Sequence, residues 1–370
     1  MSNTKMLKGI FAAVLCMSIL AGCSNAGTSS SEVSSEVSSA TESDAASEVV
    51  SSETESQTTA AESDSQAEVN TAANPETMRI TALKGPTAMG MVQMMTADET
   101  AERVYTREYQ ITAAVDEIAP MVIQGKTDIV CVPANLASVL YNKTEGNVQV
   151  LAVNTLGILY IVENGNTVTS LDDLKGKTIY ASGKGATPEY ALNYILSQNG
   201  INPESDVTIE WKSEHSECLA SLLTDEGSVA LLPQPFVTTA QMKNEGVNAA
   251  ISVTDEWDKL NNGSACLTGA VIVRKEFADA YPEAIDEFMT DYKASVEFVN
   301  SNVTEAAELV GKYDIVPAAV AEKAIPACNI VFIAGSEMKE KLSGYLQVLF
   351  EQAAASVGGA LPADDFYYGA

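Results

Sequence analysis

The sequence predicts an α/β protein of two lobes, each a largely parallel sheet with helices on both faces. Three observations carry this expectation. Short apolar runs alternate with segments of helical period, at residues 80–83, 88–95, 127–132, 136–141 and 148–153. That βαβα rhythm calls for a parallel sheet. Glycine, proline and capping residues mark the points where strands would pass into helices. Finally, the 293 residues from Met78 onward exceed what one hydrophobic core comfortably serves, so two lobes are expected.

Ahead of the globular part stands a three-part opening. Lys5 and Lys8 precede an apolar run over residues 9–20, too short to span a bilayer. Leu20-Ala21-Gly22-Cys23 resembles the lipobox of bacterial lipoproteins, in which cleavage leaves the cysteine as an acylated N-terminus. The resemblance implies a signal peptide over residues 1–23, with Cys23 lipidated and the chain anchored on the extracytoplasmic face of the membrane. Each buried acyl CH₂ contributes about 0.8 kcal/mol, so several chains would hold a soluble domain there. Residues 24–77 carry eleven acids and neither Lys nor Arg. With so little apolar surface to offset ordering entropy, they are expected to form a disordered tether.

Charge and cysteine usage narrow the function classes. The whole chain carries a net charge of −29, and residues 78–370 still carry −20. Such a domain repels nucleic acid and anionic lipid and favours solubility as a monomer. Cys131, Cys218, Cys266 and Cys328 are widely spaced, and the chain has one histidine, a poor match to a zinc site. Cys131 and Cys328 sit in apolar runs and read as small buried residues.

Three strand-to-helix junctions concentrate the functional signal. In the first, a strand ends at Leu83-Lys84-Gly85-Pro86-Thr87, before a helix with Ala88, Met91, Val92 and Met95 on one face. In the second, residues 178–182 lead into Gly183-Lys184-Gly185-Ala186, with Thr187 as expected N-cap and Pro188 as first helical residue. In the third, Cys131-Val132-Pro133-Ala134 leads to Asn135, also expected to cap a helix. Unpaired N–H groups at helix starts, approached closely where glycine lies, make receptors for oxygen-bearing groups. Open α/β sheets bind ligands at the carboxyl ends of their strands, where these loops fall. Gly183-Lys184-Gly185 lacks the spacing and trailing Lys-Ser/Thr of a P-loop.

A family resemblance covers nearly all of residues 78–370. The run Ile158-Leu159-Tyr160-Ile161-Val162, the segment Ser170-Leu171-Asp172-Asp173-Leu174-Lys175-Gly176-Lys177, then Leu232-Pro233-Gln234-Pro235-Phe236, Val273-Arg274-Lys275-Glu276-Phe277 and Tyr281-Pro282-Glu283 resemble bacterial solute-binding lipoproteins of ATP-driven importers. The group most similar is the nitrate, taurine and alkanesulfonate type, which also includes binders of thiamine-precursor pyrimidines. The residues themselves have local readings: Ser170 and Asp173 form a capping box. Helical stripes follow Pro282 and Ser336 as ordinary core.

The resemblance implies two Rossmann-like lobes joined by two crossings, the type II periplasmic-binding-protein fold, with an ABC permease as partner and no cofactor. The crossings are expected at residues 161–166 and 268–273, giving lobe one as 78–162 plus 270–370 and lobe two as 163–269. Ligand-contact candidates carried over residue by residue are Lys84, Gly85, Pro86, Thr87, Met89, Asn135 and Asn154 from lobe one. From lobe two they are Lys184, Gly185, Ala186, Thr187, Gln234 and Thr268. Gln234 stands where many relatives have an acid. Lys84 and Lys184 favour an anionic solute, while Tyr180 and Phe236 leave a heterocycle open as the alternative. A surface sensing protein is a further alternative, disfavoured by the lack of an output domain. Catalysis is not expected: His215, with Glu214 and Glu217 beside it, reads as a solvated helix start, and no spacing sets Glu214, Glu217, Asp255 or Glu256 as a carboxylate pair across a cleft. The histidine and cysteine motifs of enzymes that make the thiamine pyrimidine are missing.

Overall fold

The computed structural model describes residues 74–370. The leader, Cys23 and the acidic segment up to residue 73 lie outside the described residues. The strands are β1 (Thr77–Leu83), β2 (Thr106–Thr112), β3 (Ile129–Pro133), β4 (Val148–Leu156), β5 (Leu159–Asn164), β6 (Thr178–Ser182), β7 (Thr208–Lys212), β8 (Val229–Pro233), β9 (Val247–Ser252), β10 (Leu267–Arg274) and β11 (Ile330–Ile333). The helices are α1 (Pro86–Met89), α2 (Val92–Asp98), α3 (Val115–Ile123), α4 (Ala134–Lys143), α5 (Thr187–Gln198), α6 (His215–Leu222), α7 (Phe236–Lys243), α8 (Val253–Lys259), α9 (Lys275–Ala280), α10 (Pro282–Ser301), α11 (Val303–Lys312), α12 (Ala318–Ala324) and α13 (Gly335–Gln352).

Two sheets organise these elements. The larger has the order β11-β4-β10-β3-β1-β2 and the smaller β7-β6-β8-β5-β9. Within the first, β1 pairs in parallel with β2 and β3, whereas β10 runs antiparallel to β3 and β4. Within the second, β6 pairs in parallel with β7 and β8, whereas β5 runs antiparallel to β8 and β9. The reversed strands β5 and β10 are the ones on which the chain enters the smaller sheet and returns to the larger. Only Gly157 and Ile158 separate β4 from β5, so the chain passes directly from the larger sheet to the smaller.

This topology corrects the expected crossings. All of β5 belongs to the smaller sheet and all of β10 to the larger, so the chain passes over at Gly157–Ile158 and returns between Ser252 and Leu267, through α8. Apolar periodicity marks both strands but cannot say which sheet a strand joins, and the expected boundaries fell inside them. The two connections touch, with Gly157 N–H donating to Cys266 O at 2.8 Å. A Cβ on Gly157 would lie 2.1 Å from Thr254 Oγ1 and 2.9 Å from Cys266 Sγ. The expected tether end also shifts, since Thr77 already belongs to β1.

Local expectations are largely met. Residues 88–95 form two helices rather than one, broken at Gly90, where a Cβ would meet Val296 Cγ2 at 3.1 Å and Tyr292 Oη at 3.2 Å. Asp173 Oδ2 accepts from the N–H groups of Thr169 and Ser170, both at 2.9 Å, which completes the capping box ahead of the 3₁₀ turn Leu171–Leu174. Along α10, Ile285, Phe288, Tyr292, Val296 and Val299 are buried, and along α13 so are Met338, Leu342, Tyr345, Leu346 and Leu349. Cys131, Cys218, Cys266 and Cys328 are buried free thiols. One apolar cluster runs continuously from the larger sheet into the smaller. Its aromatic link is Trp257 of α8, 5.9 Å from the Tyr345 ring of α13 and 4.6 Å from the Tyr194 ring of α5.

Candidate functional site

The carboxyl ends of β1, β3 and β4 share one edge of the larger sheet with the start of β10, where Gly269 pairs with Pro133. In the smaller sheet β6, β8 and β9 end where β5 begins, with Leu159 opposite Pro233 and Tyr160 opposite Ser252. The short Gly157–Ile158 passage joins these two edges, so the loops they bear meet.

They meet at a buried chain of hydrogen bonds. Tyr345 O–H of α13 donates to Thr187 Oγ1 at 3.1 Å, Thr187 O–H donates to Asn135 Oδ1 at 3.3 Å, and Asn135 Nδ2 donates to Ser356 O at 3.1 Å. Thr187 opens α5 in the smaller sheet and Asn135 lies in the first turn of α4 in the larger, and both are 8% exposed. Neither is the N-cap expected for it. Ala186 precedes α5 and Pro133 precedes α4, without side-chain caps, which frees both polar side chains to reach each other. Burial raises the Tyr345 phenol well above its ordinary value, so it acts as a hydroxyl donor at every physiological pH.

Beneath the larger sheet's edge lies a second buried group. Asn154 Nδ2 donates to Thr87 O at 3.2 Å and to Tyr292 Oη at 3.1 Å, and its Oδ1 accepts from Thr155 at 3.1 Å. Asn154 is fully buried, and these bonds fix the β1–α1 loop over β4. Thr87 O–H turns back to Leu83 O at 2.7 Å. Gly85, at φ 129°, adopts a backbone conformation that side chains disfavour, and its carbonyl receives the N–H groups of Ala88 and Met89. Pro86 is buried behind it.

Several candidates are engaged elsewhere. Met89 is buried in the core of the larger sheet and does not face the junction. Lys84 Nζ pairs with Asp314 Oδ2 at 3.1 Å. Gln234 is buried and its Oε1 accepts from Thr238 N–H and O–H, at 3.3 and 2.9 Å, so it secures the first turn of α7. Gly185 N–H is taken by Glu189 Oε2 at 2.6 Å. Lys184 is exposed, and Ala186 and Thr268 are half-buried along the two edges.

The smaller sheet also brings Ser182, to which sequence reasoning gives no role, together with His215 and Phe236. Ser182 ends β6 and lies 2.6 Å from His215 Nδ1. The His215 ring, first in α6, sits 5.4 Å from that of Phe236, first in α7. His215 is half-buried rather than solvated, and burial lowers its imidazole to about 4, leaving it neutral. Tyr292 and Tyr345 were missed because they fall on helical core stripes, where a hydroxyl gives no separate signal. No helix among the described residues is long and apolar enough to cross a membrane. None of their His, Cys, Asp and Glu residues gather in groups able to hold a metal.

Comparison with known proteins places this architecture. The family model described as "ABC transporter, phosphonate, periplasmic substrate-binding protein" matches residues 97–322, more than half of the chain, and the protein belongs to that family of importer substrate-binding components. An ABC transporter protein from Parabacteroides distasonis superposes with a TM-score of 0.68 at 21% identity, over 79% of this chain and 99% of that one. The periplasmic aliphatic sulphonate binding protein SsuA from Escherichia coli gives 0.64 at 16% identity, over 78% and 93%. The alkanesulfonate-binding protein SsuA from Xanthomonas axonopodis pv. citri, bound to MOPS, gives 0.59 at 14%, over 79% and 96%. At these identities the structures share the periplasmic-binding-protein fold. No curated protein matches the chain.

Proposed function

We propose that the protein captures a small anionic solute between two lobes built on its two sheets and delivers it to the permease of an ABC importer. One observation carries this reading: the Thr187–Asn135 bond joins the first turns of two long helices from different sheets. Each helix N-terminus bears a partial positive charge, worth about 0.3–2 kcal/mol toward an anion. Two such first turns held together through Thr187 and Asn135 would make a receptor that is complete only when the lobes are together. Backbone N–H groups of those turns are suited to receive oxygens of a phosphonate, sulfonate or carboxylate, and the Thr187 hydroxyl and Asn135 amide would join them on leaving Asn135 Oδ1 and Ser356 O. The family match to phosphonate-binding proteins and the sulfonate-binding neighbours support the same chemistry. Gly85, Pro86, Thr87, Lys184, Ala186 and Thr268, on the loops and strand ends of the same two edges, are the further contacts this reading proposes. Lys84 and Gly185 would first have to leave Asp314 and Glu189.

The test is calorimetric titration of the full chain with methylphosphonate, methanesulfonate and nitrate. Saturable binding of at least one, weakened tenfold or more in Thr187→Val, supports the reading, and no binding of any of the three or of pyridine-3-sulfonate refutes it.

We further propose that Cys23 carries lipid and that residues 24–73 tether the binding domain to the extracytoplasmic face of the cell membrane without contacting ligand. The Leu20-Ala21-Gly22-Cys23 segment supports this. Cys23→Ser should move the protein from the membrane to the soluble fraction; unchanged membrane association after high-salt washing would rule out the anchor.

A further inference from the structure

Three successive strand-to-helix junctions of the smaller sheet each contribute one side chain to a single patch. Ser182 comes from the end of β6, His215 from the start of α6 after β7, and Phe236 from the start of α7 after β8. Ser182 is 2% exposed, and its hydroxyl at 2.6 Å engages Nδ1 of the imidazole. That contact fixes the ring and leaves Nε2 as the nitrogen available to another partner. Phe236, half-buried and 5.4 Å away centroid to centroid, gives the patch an apolar aromatic wall.

The charges around this patch are already neutralised or turned away. Lys212 pairs with Glu210 at 2.5 Å and lies over the Tyr180 ring at 5.2 Å. Glu217 accepts from Ser213 N–H at 2.9 Å and Glu214 from Ser216 at 3.1 Å, both carboxylates being exposed. A neutral imidazole beside a phenyl ring is a poor seat for a bare oxyanion. It suits one hydrogen bond to an uncharged heteroatom and face or edge contact with a planar group. An apolar ring would fill the same space but strand the buried Ser182 hydroxyl, and that pairing occupies the imidazole through Nδ1 alone.

We propose that Ser182, His215 and Phe236 form a second subsite that holds a planar, uncharged, heteroatom-bearing part of the solute, on the same strand-end edge of the smaller sheet from which the loop after Ser182 leads to Thr187. This rests on the anionic-solute reading above and narrows it: the solute is an organic anion with a heteroaromatic or amide-like body, not an inorganic oxyanion or a short alkyl anion. Ser182 positions the imidazole, His215 reads the heteroatom through Nε2, and Phe236 packs on the plane.

The chain's single histidine makes the test direct, because every imidazole signal in its spectrum belongs to His215. The full chain is titrated with methanesulfonate and with pyridine-3-sulfonate, which share the anion and differ in the planar body. Pyridine-3-sulfonate should bind at least tenfold more tightly and shift the His215 Nε2 resonance, while methanesulfonate leaves that resonance in place. His215→Phe, which keeps a ring and removes both nitrogens, should erase most of the difference and leave methanesulfonate within twofold. Should that variant fail to fold, the resonance shift in the unaltered protein still decides. Equal affinity for the two sulfonates, or a preference that survives in His215→Phe, overturns the subsite while the anion reading stands. If neither sulfonate binds, the anion reading fails, and uncharged nicotinamide then decides the subsite. A saturable shift of Nε2 supports it, and an unmoved resonance overturns it as well.

Discussion

Thr187 Oγ1 donates to Asn135 Oδ1 at 3.3 Å, a single side-chain bond between the first turns of two helices carried by different sheets. Because Tyr345 in turn donates to Thr187, replacing Thr187 by Val strands a phenol and an amide oxygen in buried surroundings. A buried polar group left unpartnered costs about 1–3 kcal/mol. Thr187→Val should therefore lower the midpoint of urea unfolding by that order. Tyr345→Phe on the same background should add little, since the orphaned hydroxyl is then gone. Strict additivity of the two losses in a double-mutant cycle would show that the bonds are not coupled as the geometry requires.

Gly269 and Asn154 share a tighter relationship. A Cβ at Gly269 would stand 2.4 Å from Asn154 Oδ1 and 2.6 Å from Thr87 Cγ2, and Asn154 cannot withdraw without releasing Thr87 O and Tyr292 Oη. Overpacking of this kind costs about 1–3 kcal/mol. Gly269→Ala should destabilise by that amount with an unchanged denaturant slope, and it should also weaken solute binding by displacing the β1–α1 loop. A variant with wild-type stability would mean that β10 shifts freely at this edge, against its pairing on both sides.

Much of this was legible in the chain. The βαβα rhythm, the glycine-bearing junctions and the stripes of α10 and α13 follow from periodicity and turn chemistry, which are local properties. Sheet membership is not local, and so β5 and β10 were divided between lobes when each belongs whole to one sheet. Capping was legible as chemistry but misassigned in purpose: Thr187 and Asn135 have cap-forming side chains, yet they spend them on each other. Met89 and Gln234 illustrate the converse, residues at the right loops whose side chains turn to the core and to α7. Ser182 and His215 lie 33 positions apart, and only the parallel pairing of β6 with β7 brings their ends together.

Glu189 should act as a brake on anion binding. Its Oε2 accepts from Gly185 N–H at 2.6 Å at the start of α5, so it occupies both a loop donor and the favourable end of the helix dipole. Glu189→Gln should raise affinity for methylphosphonate several-fold, with the gain larger at low ionic strength because an exposed charge is screened by salt. Titrations at low and physiological salt check this. Weaker binding in the variant would mean that Glu189 shapes the loop for the ligand rather than competing with it.

The His215 imidazole carries a pH signature of definite sign. Burial lowers it to about 4, from an ordinary value of 6.5, so between those values the unfolded chain holds a proton that the folded chain does not. Stability then rises with pH through that window: this contribution is complete above about 6.5 and is lost as pH falls toward 4. Asp173, held down to about 2 by the N–H and O–H groups of Thr169 and Ser170, acts on the other side, since its contribution is present above its ordinary value of 3.8 and fades only below it. The two windows do not overlap, so His215→Gln should flatten the stability profile between pH 4 and 6.5 and leave the more acidic limb intact. Urea unfolding at successive pH values measures the profile, and the midpoint of the single imidazole resonance measures the titration itself. A midpoint near 6.5 in the folded protein would mean that the ring is solvated and that its contact with Ser182 does not persist in solution.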